Sequence, residues 1–192
     1  MGLPQPQPRF SRAEYFGWEA QQPDKHEYLT GEVFPVQAMG GARQSHVLVS
    51  GALFARFREH LRGTRSRTYI ADMKLEVEAA DAVFYPDVMV SCDEADRQQE
   101  MAIHVPLLIA EVLSDSTAGF DRGDKFAAYR KLSSLQEYLL VNVKARRLEL
   151  FRREPVGWVL HEPVGEGEAA VLRLDSLALD LTLADAFGDL NP

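Results

Sequence analysis

The sequence predicts a small α/β protein in which a mixed β-sheet is flanked by helices. Its 192 residues, 46% of them hydrophobic and 26% charged, suit one well-packed core. Apolar runs of strand length alternate along the chain with runs of helical spacing. One strand, "VPLLIAEVLS", is apolar on both faces. Such a strand normally lies inside a sheet that helices cover on both sides.

The N-terminal part predicts a helix followed by a hairpin. Ser11 and Glu14 have the spacing of a capping box, which predicts a helix through about Ala20. After a Pro-Asp break, "KHEYLTGEVFPVQA" predicts two short strands around a turn at Thr30-Gly31. We expect residues 1–10, which are rich in proline and glutamine, to form a flexible arm.

A long helix is predicted from Arg43 to Arg62, with Gly63 as its stop. Its apolar positions recur at helical spacing and are Val47, Phe54, Phe57 and Leu61. Arginines follow on and just after this helix, and those that we consider as phosphate contacts are Arg62, Arg65 and Arg67. Clusters of this kind are also typical of a solvated helix face.

Four strands and one helix form the predicted central region. "YIADMKLEVEA" alternates like a half-exposed strand, and "AVFYPDVMVSC" is a second strand, apolar on both sides of Asp87. The third is "VPLLIAEVLS", which contains Glu111. A helix is then predicted from Ser116 or Asp121 to about Leu132, and "EYLLVNV" is the fourth strand.

The C-terminal part predicts antiparallel strands. "RRLELFRRE" and "GWVLHEP" are typical of a meander, and "AAVLRLDSLALDLTLADAF" predicts a short strand with one helical turn. No linker divides the chain, so we expect one domain over residues 11–192.

Composition excludes several classes of protein. The single cysteine, Cys92, excludes an intramolecular disulfide and a four-cysteine zinc site. No stretch approaches the roughly 20 apolar residues that span a bilayer, so we expect a cytoplasmic protein without membrane association. The net charge of -8 argues against a protein that coats nucleic acid, although a nuclease with a local basic track remains compatible with it.

Two acidic residues stand out because they lie within apolar strands. Burying the carboxylate of Glu111 or Asp87 is costly unless a cation, a metal or hydrogen-bond donors compensate the charge. Two such acids on consecutive core strands predict one shared site. The alternative for each acid is a strand-end carboxylate that faces solvent or pairs with an arginine.

These residues carry a resemblance to a known family. The ordered set "HEYLTGEVF", His46, "YPDV", "EVLS", "DRGDK" and "EY" resembles the bacterial "putative restriction endonuclease" family of the PD-(D/E)xK nuclease superfamily. The similarity extends roughly from Arg12 to Phe151. It implies a restriction endonuclease-like fold.

The resemblance also implies site residues. Asp87 matches the aspartate of the "PD" half-motif, and Glu111 matches the acid of the second half. The superfamily's usual lysine lies two positions after that acid, where this chain has Leu113. Lys125 matches a lysine on the following helix that looks like its replacement in this family.

Further matches lie nearer the N-terminus. Glu32 matches an acidic residue that we include among the catalytic candidates, and Glu27 and His46 match accessory positions. Lys74 is a rival for the catalytic lysine, because it lies on the charged face of a predicted strand. Without the resemblance, Lys125 would be interpreted as a solvated helix lysine paired with Asp121 or Asp124, and His46 as a capping or packing residue.

The implied chemistry is that of a metal-dependent endonuclease. Asp87 and Glu111 would hold Mg²⁺, with Mn²⁺ as a substitute, since hard cations prefer carboxylate oxygens. Lys125 would position a water or stabilise charge on the phosphate during phosphodiester hydrolysis. We expect DNA as the partner and a homodimer as the assembly. The alternatives are a non-catalytic module that binds nucleic acid or a protein, and a dimeric scaffold without a ligand.

Overall fold

The structure is a computed structural model that describes residues 10–36, 43–114 and 117–190. Its helices are α1 (Arg12–Glu19), α2 (Gln44–His60), α3 (Ala118–Phe120), α4 (Phe126–Tyr129) and α5 (Leu183–Phe187), with a π-helical turn (Asp121–Lys125) between α3 and α4. Residues 1–9 of the predicted arm, residues 37–38 of the predicted hairpin and Ser116 lie outside the described ranges. Within those ranges, no helix has the length and apolarity needed to cross a bilayer.

The strands form two larger sheets and one hairpin. They are β1 (His26–Leu29), β2 (Glu32–Pro35), β3 (Arg67–Ile70), β4 (Lys74–Val77), β5 (Ala82–Phe84), β6 (Val88–Ser91), β7 (Ala102–Ile103), β8 (Pro106–Leu113), β9 (Glu137–Asn142), β10 (Arg147–Glu154), β11 (Gly157–His161), β12 (Val171–Leu174) and β13 (Leu179–Thr182). The six-stranded sheet has the order β11-β10-β9-β8-β6-β3, and the five-stranded sheet has the order β2-β1-β5-β4-β7. Because β8 and β9 are parallel while their outer neighbours are antiparallel, the predicted mixed sheet is confirmed.

Strand β8 is covered on both faces, as its apolar sequence predicted. Leu108, Ala110 and Val112 belong to a core shared with α2 and the β12-β13 hairpin. Ile109 and Leu113 point the other way, into a core shared with α4 and the five-stranded sheet. Side chains alternate along a strand, so Glu111 lies on the second face, between the two sheets.

Two predicted strands are each divided between the sheets. "YIADMKLEVEA" forms β3 in the six-stranded sheet and β4 in the five-stranded sheet, with Ala71 between them in the left-handed conformation (φ 46°). "AVFYPDVMVSC" forms β5 and β6 in the same way, with Pro86 at the crossing. Proline cannot donate a ladder hydrogen bond, which explains why the strand breaks there. Asp87 is therefore at a crossing between sheets, and the prediction that it lies inside a strand is wrong.

The remaining elements follow the sequence closely. The Ser11 capping box is present in α1, and β1 and β2 pair around Thr30-Gly31. Strands β10 and β11 pair antiparallel, as predicted for the meander, and β9 also pairs antiparallel with β10. The C-terminal part contains more than the single strand predicted, because β12 and β13 form a hairpin ahead of α5.

Helix α2 buries a different stripe from the one predicted. Its core-facing positions are Val49, Leu53 and Phe57, with Leu61 just beyond its end. Val47, one of the apolar positions that recur at helical spacing, is 56% exposed. The buried stripe recurs every four residues, and Val47 lies to one side of it.

This stripe yields a stability prediction. Leu53→Ala should lower the free energy of unfolding by about 2–5 kcal/mol, because it leaves a cavity in a fully buried position. Val47→Ala should change it by less than about 0.5 kcal/mol. Urea unfolding followed by circular dichroism measures both. If the free energy of unfolding fell equally in both variants, α2 would pack through another face.

Candidate active site

The candidate site lies where the two sheets meet, and Asp87 and Glu111 are its centre. Val88 pairs with Ala110, so the two acids stand opposite each other one position further along their strands. The Asp87 backbone N–H donates to Glu111 Oε2 at 3.3 Å, and the Val112 N–H donates to Asp87 Oδ2 at 2.7 Å. The two predicted acids are therefore adjacent, on the same face of the sheet.

Lys125 joins this pair to residues of the other sheet. Its Nζ lies 2.9 Å from Glu27 Oε1 on β1, 3.3 Å from Glu111 Oε1 and 3.3 Å from Asp121 Oδ1. The side chain is only 8% exposed. The interpretation of Lys125 as a solvated helix lysine is therefore wrong, although the pairing with Asp121 that it expected does form.

The helical segment over residues 118–129 aims three side chains at the site. Asp121, Lys125 and Tyr129 follow one another at four-residue spacing across the π-helical turn. The Tyr129 hydroxyl donates to Glu111 Oε1 at 2.8 Å, and the Tyr138 hydroxyl donates to the Asp121 carbonyl at 2.9 Å. π-helical turns inside helices are frequent at functional sites. Here the turn brings a carboxyl group, an ammonium group and a phenol to the same pair of strands.

The N-terminal hairpin supplies the buried acid Glu27. It is 6% exposed, and its Oε1 accepts a hydrogen bond from the Tyr85 backbone N–H at 3.1 Å. Tyr85 is two residues before Asp87, at the crossing between the sheets. Glu27 therefore fixes both Lys125 and the segment that leads into Asp87.

The side of the site nearest solvent is formed by Asp87 and His46. His46 lies in the first turn of α2, and its Nε2 is 3.4 Å from Asp87 Oδ2. The two side chains are 19% and 22% exposed. The hydrogen bond to Asp87 raises the pKa of His46 above its ordinary value, against the opposing effect of burial.

The site holds more buried carboxyl groups than its one ammonium group can balance as charges. Burial raises the pKa of Glu111 well above its ordinary value, and the carboxylates of Asp121, Asp87 and Glu27 add to this effect while Lys125 opposes it. Burial alone would lower the pKa of Lys125, but Glu111, Glu27 and Asp121 outweigh it and raise that pKa well above the usual range. Lys125 therefore remains cationic at neutral pH, and the carboxyl groups that it does not balance are compensated either by protonation or by a further cation.

Among its described residues, the site offers a hard divalent cation two carboxylates but not a complete set of protein ligands. In the described part of the chain, no three His, Cys, Asp or Glu side chains are arranged as a metal cage. Asp87 and Glu111 offer two adjacent carboxylates, and Mg²⁺ usually takes one or two of these together with waters and substrate phosphate. The excess of carboxylate over ammonium supplies the electrostatic reason for such a cation to bind.

Two of the other predicted residues lie outside these contacts. Glu32 is exposed on β2, the edge strand of its sheet, and forms no hydrogen bond with the described side chains of the site. Lys74 lies on β4, with its Nζ 5.2 Å from the centre of the Tyr85 ring, and does not contact Glu111. The catalytic role of Glu32 stays a prediction.

The candidate arginines are at the opposite end of the six-stranded sheet. Arg67 pairs with Ser91, the last residue of β6, whereas Asp87 precedes the first residue of that strand. Arg62, Arg65 and Arg67 are all exposed. If these arginines bind phosphate, they do so far from Asp87 and Glu111. Phosphate binding by the arginines stays a prediction.

Sequence reasoning did not assign Asp121 or Tyr129 to the site. The signal was present as D-x₃-K-x₃-Y, a spacing that places all three side chains on one face of a helix. Asp121 was considered only as a partner for an exposed lysine. Both side chains became candidates only when the helix was seen packed against β8.

Tyr129 is expected to act as a positioning residue for Glu111. Tyr129→Phe removes only the hydroxyl, and loss of a hydrogen bond to a metal-binding carboxylate typically lowers metal affinity about 10–100-fold. If Glu111 holds a Mg²⁺ ion that supports cleavage, the Mg²⁺ concentration for half-maximal cleavage should rise by that factor, with recovery at saturating Mg²⁺. An unchanged Mg²⁺ requirement would show that the hydroxyl does not orient Glu111.

A family model matches most of the chain. The family model Uma2, described as "Putative restriction endonuclease", matches residues 12–184. The chain is 37% identical over 156 residues to "Uncharacterized protein slr1290" of Synechocystis sp., covering 81% of this chain and 80% of that protein. It is 38% identical over 160 residues to "Uncharacterized protein sll1609" of the same organism, covering 80% and 87%.

A solved structure has the same fold. The crystal structure of "a putative nuclease belonging to DUF820" from Anabaena variabilis superposes with a TM-score of 0.74 and covers 95% of this chain and 99% of that one. The sequence identity is 14%, so the likeness concerns the fold. The predicted resemblance and the restriction endonuclease-like α/β fold are confirmed by these matches.

Proposed function

Because this chain belongs to the Uma2 family of "putative restriction endonucleases", we propose that it is a nuclease that hydrolyses phosphodiester bonds with a divalent cation. The observation that carries this proposal is the adjacent pair of Asp87 and Glu111 beside the buried ammonium of Lys125. Two carboxylates and a cation on one face of a sheet are the groups that phosphodiester hydrolysis needs.

Asp87 and Glu111 would hold Mg²⁺ or Mn²⁺. Such an ion would polarise the phosphodiester and lower the pKa of an attacking water. The chain itself orients both acids, because Asp87 accepts from the Val112 N–H and Glu111 accepts from the Asp87 N–H and the Tyr129 hydroxyl. Fixed carboxylates lose little freedom when a cation binds.

Lys125 would stabilise charge that develops on the phosphate. Its raised pKa excludes it as a general base at neutral pH, since it has no lone pair to accept a proton. Its three N–H groups already face three carboxylates, so a phosphate would be attracted mainly by the fixed positive charge. Glu27 and Asp121 hold that charge in place next to Glu111.

The second candidate function is a non-catalytic module that binds nucleic acid or a protein. Leu113 favours it, because it stands where the superfamily usually has its lysine and packs in an apolar core at 7% exposure. The net charge of -8 favours it as well. Against it stands the cost of burying Glu27, Glu111 and Asp121 around one lysine in a domain that needs no such cluster.

One assay separates the two functions. Purified protein is incubated with linear duplex DNA, single-stranded DNA and single-stranded RNA, each with Mg²⁺, Mn²⁺ or EDTA. We expect cleavage of DNA with either metal and none with EDTA. Binding without cleavage under all metal conditions would favour the module, and cleavage that survives EDTA would contradict the role of the cation.

The homodimer is a separate proposal. Strand β11 is an edge of the six-stranded sheet, and Val156, Leu160 and Val164 near it are 87%, 46% and 81% exposed. An exposed edge with apolar side chains is a surface on which a second copy can pair. Gel filtration with light scattering should give twice the mass of 21.6 kDa; a single-chain mass would exclude the dimer.

A further inference from the structure

Tyr85 is a rigid aromatic platform next to the candidate site. Its backbone N–H donates to Glu27 Oε1 at 3.1 Å, and its hydroxyl donates to Glu19 Oε1 at 2.8 Å. The backbone and the ring hydroxyl of Tyr85 are thus each held by a buried glutamate, and the residue is 7% exposed. Tyr85 is two positions before Asp87, so at most about 7 Å of extended chain separates their backbones.

Two lysines flank this ring. Lys25 Nζ is 5.6 Å and Lys74 Nζ is 5.2 Å from its centre. Leu75 pairs with Phe84 in the β4-β5 ladder, so Lys74 stands opposite Tyr85 one position further along. Two ammonium groups on one ring repel each other, and an anion between or above them would relieve that repulsion. We call this pair the lysine rim.

The lysine rim is connected directly to Asp87. The turn between β3 and β4 leads into Lys74, and the Ala71 N–H in that turn donates to the Asp87 carbonyl at 3.1 Å. Ala71 has a φ of 46°, which fixes the turn tightly against the crossing segment. The position of Lys74 relative to Asp87 is therefore set by both the chain and a hydrogen bond.

The charges of the rim are incompletely balanced. Among the described residues, no carboxylate forms an ion pair with Lys74, and Lys25 pairs only with Asp72, whose side chain is 88% exposed. By contrast, the neighbouring Arg12 already contacts Glu76, Glu78 and Asp81. An exposed ion pair is weak, so both lysines can bind another anion at little cost.

From these contacts we propose that the lysine rim binds backbone phosphates of the nucleic acid next to the bond that is cleaved. The inference rests on the proposed function, because it names how that site holds its polyanionic substrate. A site with excess buried carboxylate in a chain of net charge -8 repels a polyanion. Lys25 and Lys74 supply local positive charge that offsets this repulsion and attracts a phosphate to the neighbourhood of Asp87.

The test is the salt dependence of binding. Each phosphate contact contributes about 0.9 to the slope of log K against log salt for duplex DNA and about 0.7 for single strands. Lys25→Gln/Lys74→Gln removes both charges. It should therefore reduce the slope by about 1.8 for duplex DNA and by about 1.4 for single-stranded DNA. Fluorescence anisotropy of labelled duplex and single-stranded DNA in EDTA measures it, because no metal-dependent cleavage interferes there.

Kinetics and a matched control complete the experiment. The rim variant should raise KM with little change in kcat, as expected when uniform binding is lost. Lys131→Gln/Lys144→Gln changes the net charge equally at two exposed lysines away from Tyr85 and should leave the slope unchanged. Lys25→Arg/Lys74→Arg should retain the wild-type slope, and thermal melting verifies that each variant is folded.

The possible failures are distinguishable. If the wild-type protein binds and cleaves DNA but the rim variant has an unchanged slope, the lysine rim is not a phosphate site, and the proposed function stands. If the slope fell equally in the rim variant and the control variant, the effect would be one of general charge, and the lysine rim would not be a phosphate site. If the wild-type protein neither binds nor cleaves any nucleic acid, both proposals fall together.

Discussion

Glu111→Gln and Asp87→Asn are each expected to reduce metal-dependent cleavage by about 1,000-fold while the protein remains folded. A bound metal contributes several kcal/mol to stabilising the transition state, and each 1.36 kcal/mol corresponds to a factor of ten in rate. Both substitutions keep the shape of the side chain and remove its charge. Initial rates on a labelled substrate at saturating Mg²⁺ measure the effect.

If Mg²⁺ binds at these two acids, it stabilises the folded protein, and the same variants should lose that stabilisation. A ligand present at 100 times its Kd stabilises the native state by about 2.7 kcal/mol. We therefore expect the wild-type Tm to rise with Mg²⁺, and the Tm of Glu111→Gln to remain constant. In EDTA, Glu111→Gln should be about as stable as the wild type, because it removes one charge from a buried cluster with excess carboxylate.

A control variant keeps this prediction specific. Glu100→Gln removes one carboxylate from an exposed position outside the site and should retain both the rate and the Mg²⁺-dependent rise in Tm. If Glu111→Gln cleaved DNA at the same rate as the wild type, the two acids would not hold the catalytic cation. A reduced rate with an intact Tm shift would assign the cation to other residues.

Lys125→Met should destabilise the protein by about 3–5 kcal/mol at pH 8, the usual cost of removing one partner from a buried ion-pair network. The substitution keeps most of the volume of the side chain and leaves Glu27, Glu111 and Asp121 without their cation. Lys131→Met, at an exposed position beyond α4, should change stability by less than about 0.5 kcal/mol. Urea unfolding measures both.

The loss in Lys125→Met should depend on pH in a defined direction. Burial raises the pKa of Glu111, Glu27 and Asp121 in the folded state, and Lys125 opposes each rise. Without Lys125 the folded pKa values increase further above their unfolded values of about 4. A raised folded pKa gives stability that is complete below the unfolded pKa and is lost as pH rises through the folded one.

The deficit of Lys125→Met should therefore be largest at pH 8 and shrink as the pH falls towards about 4.5. Adding Glu27→Gln to Lys125→Met should restore part of the lost stability at pH 8, because it removes one of the unbalanced charges. A deficit that is the same at every pH, and unaffected by Glu27→Gln, would mean that packing rather than charge explains the role of Lys125.

Local patterns in the sequence were sufficient for much of the fold. The Ser11 capping box, the turn at Thr30-Gly31 and the doubly apolar strand around Glu111 were all predictable, because each depends on residues a few positions apart. The carboxylate of Glu111 was also recognisable as a candidate, since a charge inside an apolar strand needs compensation wherever that strand is placed. Asp87 was a candidate because apolar residues flank it in the sequence, although the structure places it at a crossing between the sheets and not inside a strand.

Other features were decided only by the tertiary structure. The division of two predicted strands between sheets, and the meeting of Glu27 with Lys125, depend on pairing between segments far apart in the chain. Periodicity reports which residues share a face of one element, and it does not report which face of another element they meet. The sequence by itself therefore determined the acids at the centre of the site, whereas packing determined the buried lysine and the partners that hold them.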